Sequence, residues 1–501
     1  MKAKITLDRE FVTAKTDKRL YGSFIEHMGR AIYGGIYQPS HPTADENGFR
    51  GDVIELVKAL NIPIIRYPGG NFLSNYNWED GVGPVEKRPV VTDAAWQSLE
   101  PNLIGTDEFH KWAEKVGTDV MMAVNLGTGD IESAKNLIEY CNHEKGSKYS
   151  NMRVENGREK PYGDKVWCLG NEMDGPWQVG YRTMEDYADL ARRTAGVMKM
   201  MDPSIELVAC GSSYWGIPTF GKWELTVLEA AYDKIDYLSL HLYLGWSEKE
   251  TMTYLGATKD MDRFIKTVVA ICDTVKGIKK TSKTINLSFD EWNVQSSTRQ
   301  SGNEENKWTV GPRREEYIYS MEDALVFGCM LITLINNSNR VKMACLAQLV
   351  NVAAPIMAPK DGNAWAQTTY YPFLHASNWG RGKVLTPIVK CPTYNTKKYG
   401  DVPYIETAAV YNEEAGEVTV FAVNRSSDEE NELTLTLRDF SECEMIEHIV
   451  MSHPEDIKAC NSEENPNNIL PHTVPTAKIS DGILNVSLEP FSWNVIRIKV
   501  K

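Results

Sequence analysis

The chain has 501 residues, more than one ordinary hydrophobic core accommodates, so a large domain and a smaller one are expected. Its 54 basic and 68 acidic residues give a net charge of −14, which argues against nucleic acid or an anionic membrane as a partner and is compatible with a neutral substrate. The N-terminus lacks the apolar stretch of a secretory signal, no apolar run is long enough to span a bilayer, and the nine cysteines show no CxxC spacing, so we expect a cytoplasmic protein with reduced thiols.

The first residues alternate between apolar and polar side chains, with Ala3, Ile5 and Leu7 on one face. Such a period of two predicts a strand within residues 1–17. Because the same period returns only towards the C-terminus, we expect this strand to join a sheet formed there.

Eight short apolar runs follow, and amphipathic helical patterns lie between them. The runs are RLYGSFIEH, IPIIRYPGG, DVMMAVNLG, VWCLGNE, ELVACGSS, YLSLHLY, INLSFDEW and ACLAQLVN. Continuous apolar strands that alternate with helices indicate parallel strands covered by helices. Eight such units fit a (β/α)8 TIM barrel over residues 18–380. The alternative is a doubly wound open sheet, but RYPGGN and NLGTGD match neither GxGxxG nor GxxxxGK[ST].

The pattern changes after Arg381, where apolar residues recur at every second position. The alternating sets are Val418, Val420 and Ala422; Leu433, Leu435 and Leu437; Leu484, Val486 and Leu488; and Ile496, Ile498 and Val500. Turn residues separate these sets, which indicates an antiparallel β-sandwich, jelly-roll-like, over residues 381–501.

Polar side chains end most of the eight predicted barrel strands. They are Glu26 and His27, Arg66 and then Asn71, Asn125, Asn171 and Glu172, His241 and Tyr243, Asp290 and Glu291, and Gln348 and Asn351. The C-terminal ends of barrel strands form the active site in this fold, whereas a single acidic strand end is more often a local ion pair or a loop cap. The convergence of so many polar groups on one rim has no comparable structural explanation.

Two of these residues, Glu172 and Glu291, form the pair that glycosidic bond cleavage requires. One carboxylic acid protonates the leaving oxygen. The second group, a carboxylate, either attacks the anomeric carbon itself or activates a water molecule that does so. Carboxyl groups about 5–5.5 Å apart imply retention of configuration, and a wider gap implies inversion. Asp290 precedes Glu291 and is expected to point the other way along its strand, so we leave it out of the catalytic set.

Several longer segments carry a family resemblance. GSFIEHMGRAIYGGIYQP, RYPGGNFLSNYNWEDGVGP, WCLGNEMDGPWQVG, LSFDEWNV and CLAQLVNVAAPI resemble the α-L-arabinofuranosidases of glycoside hydrolase family 51, in order over nearly the whole chain. The resemblance implies a retaining clan-A barrel whose β-sandwich includes the first residues, with Glu172 as general acid/base and Glu291 as nucleophile. It also implies a homo-oligomer, commonly a hexamer. The chemistry needs no metal or other cofactor, and the histidines show no metal-ligand spacing such as HExxH.

The remaining site residues follow from these roles. We expect Arg66 and Tyr243 to donate to Glu291, Asn171 to bind the sugar 2-hydroxyl, and His241 either to support the site or to be structural. By resemblance Glu26, Asn71 and Gln348 bind the furanose hydroxyls. We expect Trp96 and Trp177 to line the cleft beside the sugar.

The leading hypothesis is therefore an exo-acting α-L-arabinofuranosidase that acts on arabino-oligosaccharides from arabinan or arabinoxylan. The alternatives are a β-xylosidase or endoglucanase of the same clan, and a carbohydrate-binding protein without activity. Leu242 and Leu244 depart from the family, which commonly has glutamine and an aromatic residue there, and loop 295–314 matches it poorly. These departures leave the linkage and the leaving-group preference open.

Overall fold

The computed structural model describes residues 1–245, 250–296, 306–427 and 431–501. Its strands are, in chain order, β1 (Lys2–Asp8), β2 (Val12–Lys15), β3 (Gly22–Phe24), β4 (Ile64–Tyr67), β5 (Val91–Asp93), β6 (Ser98–Glu100), β7 (Asp119–Val124), β8 (Val166–Leu169), β9 (Glu206–Ala209), β10 (Tyr237–Leu244), β11 (Asn286–Val294), β12 (Val341–Ala347), β13 (Ile356–Met357), β14 (Trp365–Ala366), β15 (Lys383–Leu385), β16 (Ile388–Lys390), β17 (Thr393–Thr396), β18 (Gly400–Pro403), β19 (Ile405–Asn412), β20 (Glu417–Asn424), β21 (Asn431–Arg438), β22 (Glu444–Ser452), β23 (His472–Val474), β24 (Ile483–Leu488) and β25 (Ser492–Lys499).

The α-helices lie mainly between the barrel strands. They are α1 (Gly51–Ala59), α2 (Gly70–Leu73), α3 (Thr106–Val116), α4 (Ile131–Asn142), α5 (Lys148–Glu155), α6 (Met184–Met201), α7 (Lys222–Ala231), α8 (Thr251–Leu255), α9 (Thr258–Lys279), α10 (Met321–Asn336) and α11 (Tyr370–Trp379). No helix among the described residues is both long enough and apolar enough to cross a membrane. All nine cysteines are free thiols.

Eight parallel strands close into a barrel. Their order is β3, β4, β7, β8, β9, β10, β11 and β12, and β12 pairs back to β3. Each predicted apolar run overlaps one of these strands, so the predicted (β/α)8 barrel is confirmed and the alternative of an open sheet is wrong. The strands could be predicted because strands such as β4 and β8 are buried along their whole length, and such burial selects continuous apolar runs.

The C-terminal part of the chain forms two further sheets. One has the order β16, β1, β21, β24, and the other has the order β2, β15, β19, β20, β25, β22, β23. Their inner faces pack into a separate core that contains Ile5, Val420, Leu435 and Ile496. The predicted sandwich is confirmed, with one departure from antiparallel pairing: β1 lies parallel to β21. The domain boundaries at residues 17 and 380 remain a proposal.

Helix α10 joins the barrel to the sandwich. Fifteen of its sixteen residues are buried, which explains why its sequence is apolar on nearly every side. A side chain at Gly328 would place its Cβ 2.7 Å from the Trp493 ring, so only glycine allows this close approach. The Trp493 indole also donates to His375 Nδ1 in α11 at 3.0 Å. The two cores are therefore connected by tightly packed, buried contacts.

A hairpin of β17 and β18 leaves the sandwich and lies against the barrel. The Tyr394 hydroxyl donates to the carbonyl of Met252 at 3.0 Å, and the Tyr399 hydroxyl donates to Asp260 Oδ2 at 3.1 Å. Residues from the C-terminal part of the chain thus reach the loop that follows β10.

Candidate active site

Glu172 and Glu291 line one cavity at the C-terminal mouth of the barrel, which we call the central cavity. Glu172 lies just after β8 and Glu291 lies within β11, and a carboxylate oxygen of one lies within 4.8 Å of an oxygen of the other. Carboxyl groups are about 5–5.5 Å apart in retaining glycosidases and about 6.5–9.5 Å apart in inverting ones. An upper limit of 4.8 Å between the nearest oxygens fits the retaining geometry better than the inverting one.

The Glu291 carboxylate is held by two donors. Arg66 Nη1 lies 2.9 Å from Oε1, and the Tyr243 hydroxyl lies 2.9 Å from Oε2. Burial and the charges of Glu291 and Glu172 raise the pKa of Tyr243 well above its usual value, so its hydroxyl keeps its proton and remains a donor. Both predicted partners therefore lie at Glu291 and fix the orientation of its carboxyl group.

Glu172 adopts a backbone conformation that is rare for a residue with a side chain. Its φ is 43°, in the left-handed region, which costs about 1–2 kcal/mol for an L-residue. The carbonyl of Glu172 accepts a hydrogen bond from the Gly175 N–H at 2.9 Å, which closes a tight turn. Strain of this kind is concentrated at functional sites, where the surrounding structure maintains it.

Two side chains contact the Glu172 carboxylate. The Trp177 indole donates to Oε2 at 2.6 Å, and His241 Nδ1 lies 3.0 Å from Oε1. The other nitrogen of His241, Nε2, lies 3.1 Å from Asp290 Oδ1. Burial alone would lower the pKa of His241, but the charge of Glu291 and the bonds to Asp290 and Glu172 raise it to about 10. His241 is therefore a buried imidazolium that donates from both nitrogens.

Asp290 lies beneath the central cavity and does not line it. It accepts from the Ser239 hydroxyl at 2.5 Å as well as from His241. Burial alone would raise the pKa of Asp290, but the His241 bond and the charge of Arg66 hold it below the ordinary value. Asp290 thus contributes, together with Glu291 and Glu172, to keeping His241 protonated.

Glu26 forms the floor of the central cavity together with Gln348 and Trp96. Glu26 Oε1 accepts from the Trp96 indole at 2.5 Å, and the Glu26 backbone N–H donates to Gln348 Oε1 at 3.0 Å. Burial raises the pKa of Glu26 well above its usual value despite these donors. A Cβ at position 70 would lie 2.1 Å from the Glu26 carboxyl carbon, which explains the glycine in RYPGGN.

The two predicted asparagines also border the central cavity. Asn71 holds the loop that carries Trp177: its Nδ2 donates to the Trp177 carbonyl at 3.0 Å and its Oδ1 accepts from the Val179 N–H at 2.9 Å. Asn171 Oδ1 accepts from Arg66 Nη2 at 2.5 Å. The amides are thus fixed in orientation by their neighbours, which prepares them for a ligand without further ordering.

The structure brings together every predicted site residue. The central cavity, about 200 Å³ in volume, is lined by Glu26, Asn71, Trp96, Asn171, Glu172, Trp177, Tyr243, Glu291 and Gln348, with Arg66 and His241 directly behind the two glutamates. Other polar strand-end residues have different roles. Asn125 and Asn351 bond to loop backbone, and His27 pairs with Glu100 at 2.7 Å.

Sequence reasoning missed several lining residues, among them Met28, Gln295, Glu315 and Tyr317. Glu315 and Tyr317 follow loop 295–314 in a polar stretch with no strand or helix period, so no local signal singled them out. Residues 297–305 of that loop lie outside the described residues. The C-terminal end of the loop holds Trp96, since Arg314 donates to the Trp96 carbonyl at 3.1 Å and its guanidinium lies 5.4 Å from the centre of the Trp96 ring.

Among the described residues, Glu172, His241 and Glu291 also form a set of donors close enough to hold a metal ion. Their chemistry does not fit one. A metal ligand must be the neutral imidazole, whereas His241 is protonated on both nitrogens, and Glu291 is already paired with Arg66. The donor set is better suited to proton transfer than to metal binding.

Comparisons with known proteins agree over the length of the chain. Residues 56–260 match the family model described as alpha-L-arabinofuranosidase 1 domain, and residues 290–492 match the alpha-L-arabinofuranosidase C-terminal domain. The chain is 54% identical over 498 residues to an intracellular exo-alpha-(1->5)-L-arabinofuranosidase 1 of Bacillus subtilis, covering 99% of both chains. It is 46% identical over 509 residues to an exo-alpha-(1->6)-L-arabinofuranosidase of Bifidobacterium longum, covering 99% of this chain and 97% of that protein.

A solved structure shows the same architecture. It is a family 51 alpha-L-arabinofuranosidase from Bifidobacterium longum, 42% identical, with a TM-score of 0.94 and 99% of each chain covered. The closed barrel, the paired glutamates and these relatives give one conclusion: the chain belongs to the α-L-arabinofuranosidases of glycoside hydrolase family 51.

Proposed function

We propose that this protein is a retaining, exo-acting α-L-arabinofuranosidase that removes terminal non-reducing α-L-arabinofuranosyl residues from arabino-oligosaccharides and from fragments of arabinan or arabinoxylan. The observation that carries the proposal is the pair of glutamates with oxygens within 4.8 Å of each other, in a chain of this family. Each of the two carboxylates has surroundings suited to a different role.

In the first step Glu291 is the nucleophile and Glu172 is the acid. The Glu291 carboxylate attacks the anomeric carbon while the bond to the leaving oxygen breaks, and Glu172 gives its proton to that oxygen. Arg66 and Tyr243 hold the Glu291 carboxylate in position until the attack. The products of this step are the free leaving group and an arabinofuranosyl ester of Glu291.

In the second step Glu172 acts as the base. It takes a proton from a water molecule, the water oxygen attacks the anomeric carbon, and the ester bond to Glu291 breaks. His241 and the Trp177 indole keep the Glu172 carboxylate in place through both steps. Two inversions at the same carbon give net retention.

The size and lining of the central cavity support an exo-acting enzyme. Its volume of about 200 Å³ is below the range of about 300–1,000 Å³ that is typical of pockets for drug-sized ligands, so it suits a single sugar. Glu26, Asn71 and Gln348 present carboxyl and amide groups for the sugar hydroxyls. A buried floor of this kind disfavours an endoglucanase, whose substrate chain must continue on both sides of the cleaved bond.

Linkage, compartment and assembly complete the proposal. The Bacillus subtilis relative carries (1->5) and intracellular in its name, whereas a Bifidobacterium longum relative carries (1->6). We place this protein in the cytoplasm and expect the α-(1→5) linkage, because the Bacillus subtilis relative is more similar. A homo-oligomer, commonly a hexamer in the family, is the expected assembly, and size-exclusion chromatography with light scattering measures it.

A panel of 4-nitrophenyl glycosides tests the proposed activity. We expect release of nitrophenol from the α-L-arabinofuranoside at least about a hundredfold faster than from the β-D-xylopyranoside, and no depolymerisation of β-glucan. Proton NMR during hydrolysis is expected to show the α-anomer of arabinose first. An initial β-anomer would contradict retention, and equal rates on the xyloside would favour the β-xylosidase alternative.

A further inference from the structure

A second cavity, which we call the outer cleft, adjoins the central cavity. The two share Glu172, Trp177, Tyr243 and Gln295 as lining residues. The outer cleft has a volume of about 750 Å³, more than three times that of the central cavity at about 200 Å³. Because the acid/base candidate Glu172 borders both cavities, the leaving group of a bond cleaved in the central cavity extends into the outer cleft.

Besides the four shared residues and the start of α9, three parts of the chain form the walls of the outer cleft. Tyr214 and Trp215 lie in the loop after β9, Leu242 and Leu244 lie in β10, and Lys398 and Tyr399 lie at the turn of the β17–β18 hairpin. Tyr214 is 40% exposed and Trp177 is 47% exposed, and their ring centroids are 6.1 Å apart. Exposed aromatic rings on a concave surface suit the apolar faces of sugars.

The hairpin is fixed to the barrel by hydrogen bonds at its turn. Lys259 Nζ donates to the carbonyls of Asp401 at 2.5 Å and of Tyr399 at 3.2 Å, and the Tyr399 hydroxyl donates to Asp260 Oδ2. A Cβ at Gly256 would lie 3.1 Å from Cγ2 of the Val402 side chain, so the hairpin also packs closely against the barrel at this point. The wall formed by the hairpin is therefore held in a defined position.

The same contacts link the hairpin to an aromatic ring on the opposite side. Asp260 Oδ1 lies 3.4 Å from Arg263 Nη1, and the Arg263 guanidinium lies 5.3 Å from the centre of the Trp215 ring. Asp260 thus holds both Tyr399 and Arg263, and Arg263 supports Trp215. This series of contacts sets the width of the outer cleft between the hairpin and Trp215.

We propose that the β17–β18 hairpin and Trp215 form a binding site for the sugars that follow the cleaved residue, so that the protein favours linear neutral oligosaccharides with two or more such sugars. Lys398 provides a hydrogen-bond donor for hydroxyl or ring oxygens, and Trp215 provides a stacking face. The volume of the outer cleft accommodates more than one sugar. The inference rests on the proposed arabinofuranosidase function.

The test compares substrates of two lengths with a common first bond. We measure kcat/KM for α-(1→5)-linked arabinobiose and arabinotetraose and use the ratio of the two values. The wild-type ratio is expected to exceed one, and Lys398→Ala and Trp215→Ala are each expected to reduce it about two- to tenfold, the equivalent of one lost polar contact. Tyr399→Phe, which removes only the hydroxyl bond to Asp260, is expected to reduce it as well, by a smaller factor.

Lys397→Ala is the matched control, because Lys397 is exposed on the same turn but does not line the outer cleft. We expect it to keep the wild-type ratio. A variant that merely folds less well lowers both rates equally and leaves the ratio unchanged. An unchanged ratio in both Lys398→Ala and Trp215→Ala, or the same change in Lys397→Ala, overturns the inference.

The wild-type protein on 4-nitrophenyl α-L-arabinofuranoside separates this inference from the function on which it rests. Hydrolysis of that compound together with a wild-type ratio near one contradicts only the outer-cleft site. Absence of hydrolysis contradicts the arabinofuranosidase itself.

Discussion

His241 connects the acid/base candidate Glu172 to a carboxylate below the cavity. Its Nδ1 lies 3.0 Å from Glu172 Oε1 and its Nε2 lies 3.1 Å from Asp290 Oδ1, with 3% of the side chain exposed. A neutral imidazole donates from one nitrogen only, so donation to both groups when both are ionised needs the protonated form, which the raised pKa of about 10 favours. The resulting cation holds Glu172 in place and is the basis of the first prediction.

We expect both activity and stability to decrease at alkaline pH as His241 loses its proton. Its pKa is raised from 6.5 to about 10 in the folded protein, so its contribution to the free energy of unfolding is fully present below pH 6.5 and is lost as the pH rises through about 10. Thermal midpoints measured between pH 6 and 10.5 are expected to fall more steeply for the wild type than for His241→Gln.

The exposed His472 provides the control for that series. His472→Gln is expected to follow the wild-type curve. Parallel curves for the wild type and His241→Gln would show that His241 is neutral in the folded protein.

We expect activity to survive complete removal of divalent metal ions. Proton transfer and nucleophilic attack come from side chains, and the protonated His241 has no lone pair for a metal. The measurement is hydrolysis of 4-nitrophenyl α-L-arabinofuranoside after prolonged dialysis against a chelator. Loss of activity that a divalent cation restores would contradict the mechanism.

Asn71→Ala and Gln348→Ala are expected to lower kcat/KM for arabinofuranosides. Each hydrogen bond lost to an uncharged hydroxyl costs about 0.5–1.5 kcal/mol, roughly two- to tenfold in kcat/KM, and more if the bond strengthens in the transition state. Asn71→Ala also frees the loop that carries Trp177, so it is expected to have the larger effect. The exposed Asn47→Ala is the control. Unchanged turnover in either cavity variant would mean that its side chain does not reach the sugar.

Glu172→Ala is expected to separate substrates by the quality of their leaving groups. General acid catalysis contributes about 10²–10⁴-fold, and an acidic phenol scarcely needs it, so unactivated oligosaccharides are expected to slow far more than aryl glycosides. With an activated aryl glycoside the ester of Glu291 forms but lacks its base, so KM is expected to fall. Added azide, which needs no deprotonation, is expected to restore turnover and to give the α-azide.

Glu291→Ala is expected to be inactive on every substrate, because no ester forms. When azide is added to this variant, it is expected to attack from the face that the Glu291 side chain has vacated and to give the inverted β-azide. NMR of the two products assigns the roles. The α-azide from Glu291→Ala and the β-azide from Glu172→Ala would exchange the roles of the two glutamates.

The sequence by itself determined the barrel, the sandwich and the positions of the strand ends. This was possible because burial on both faces selects continuous apolar runs, burial on one face selects alternation, and the C-terminal ends of parallel barrel strands meet on one rim. The pairing of Glu172 with Glu291 followed from that topology without any measured distance. The assignment of acid and nucleophile came from the family resemblance.

Only the tertiary structure decided the distance between the two carboxylates, the bridge from Glu172 through His241 to Asp290, and the contact of the hairpin turn with α9. Tyr399 and Asp260 are 139 residues apart, and no sequence periodicity relates their two positions. Such contacts depend on how separate elements pack, and local periodicity reports only which face of each element is buried. For the same reason the lining role of Glu315, which lies in a loop without a period, could be seen only once the chain was folded.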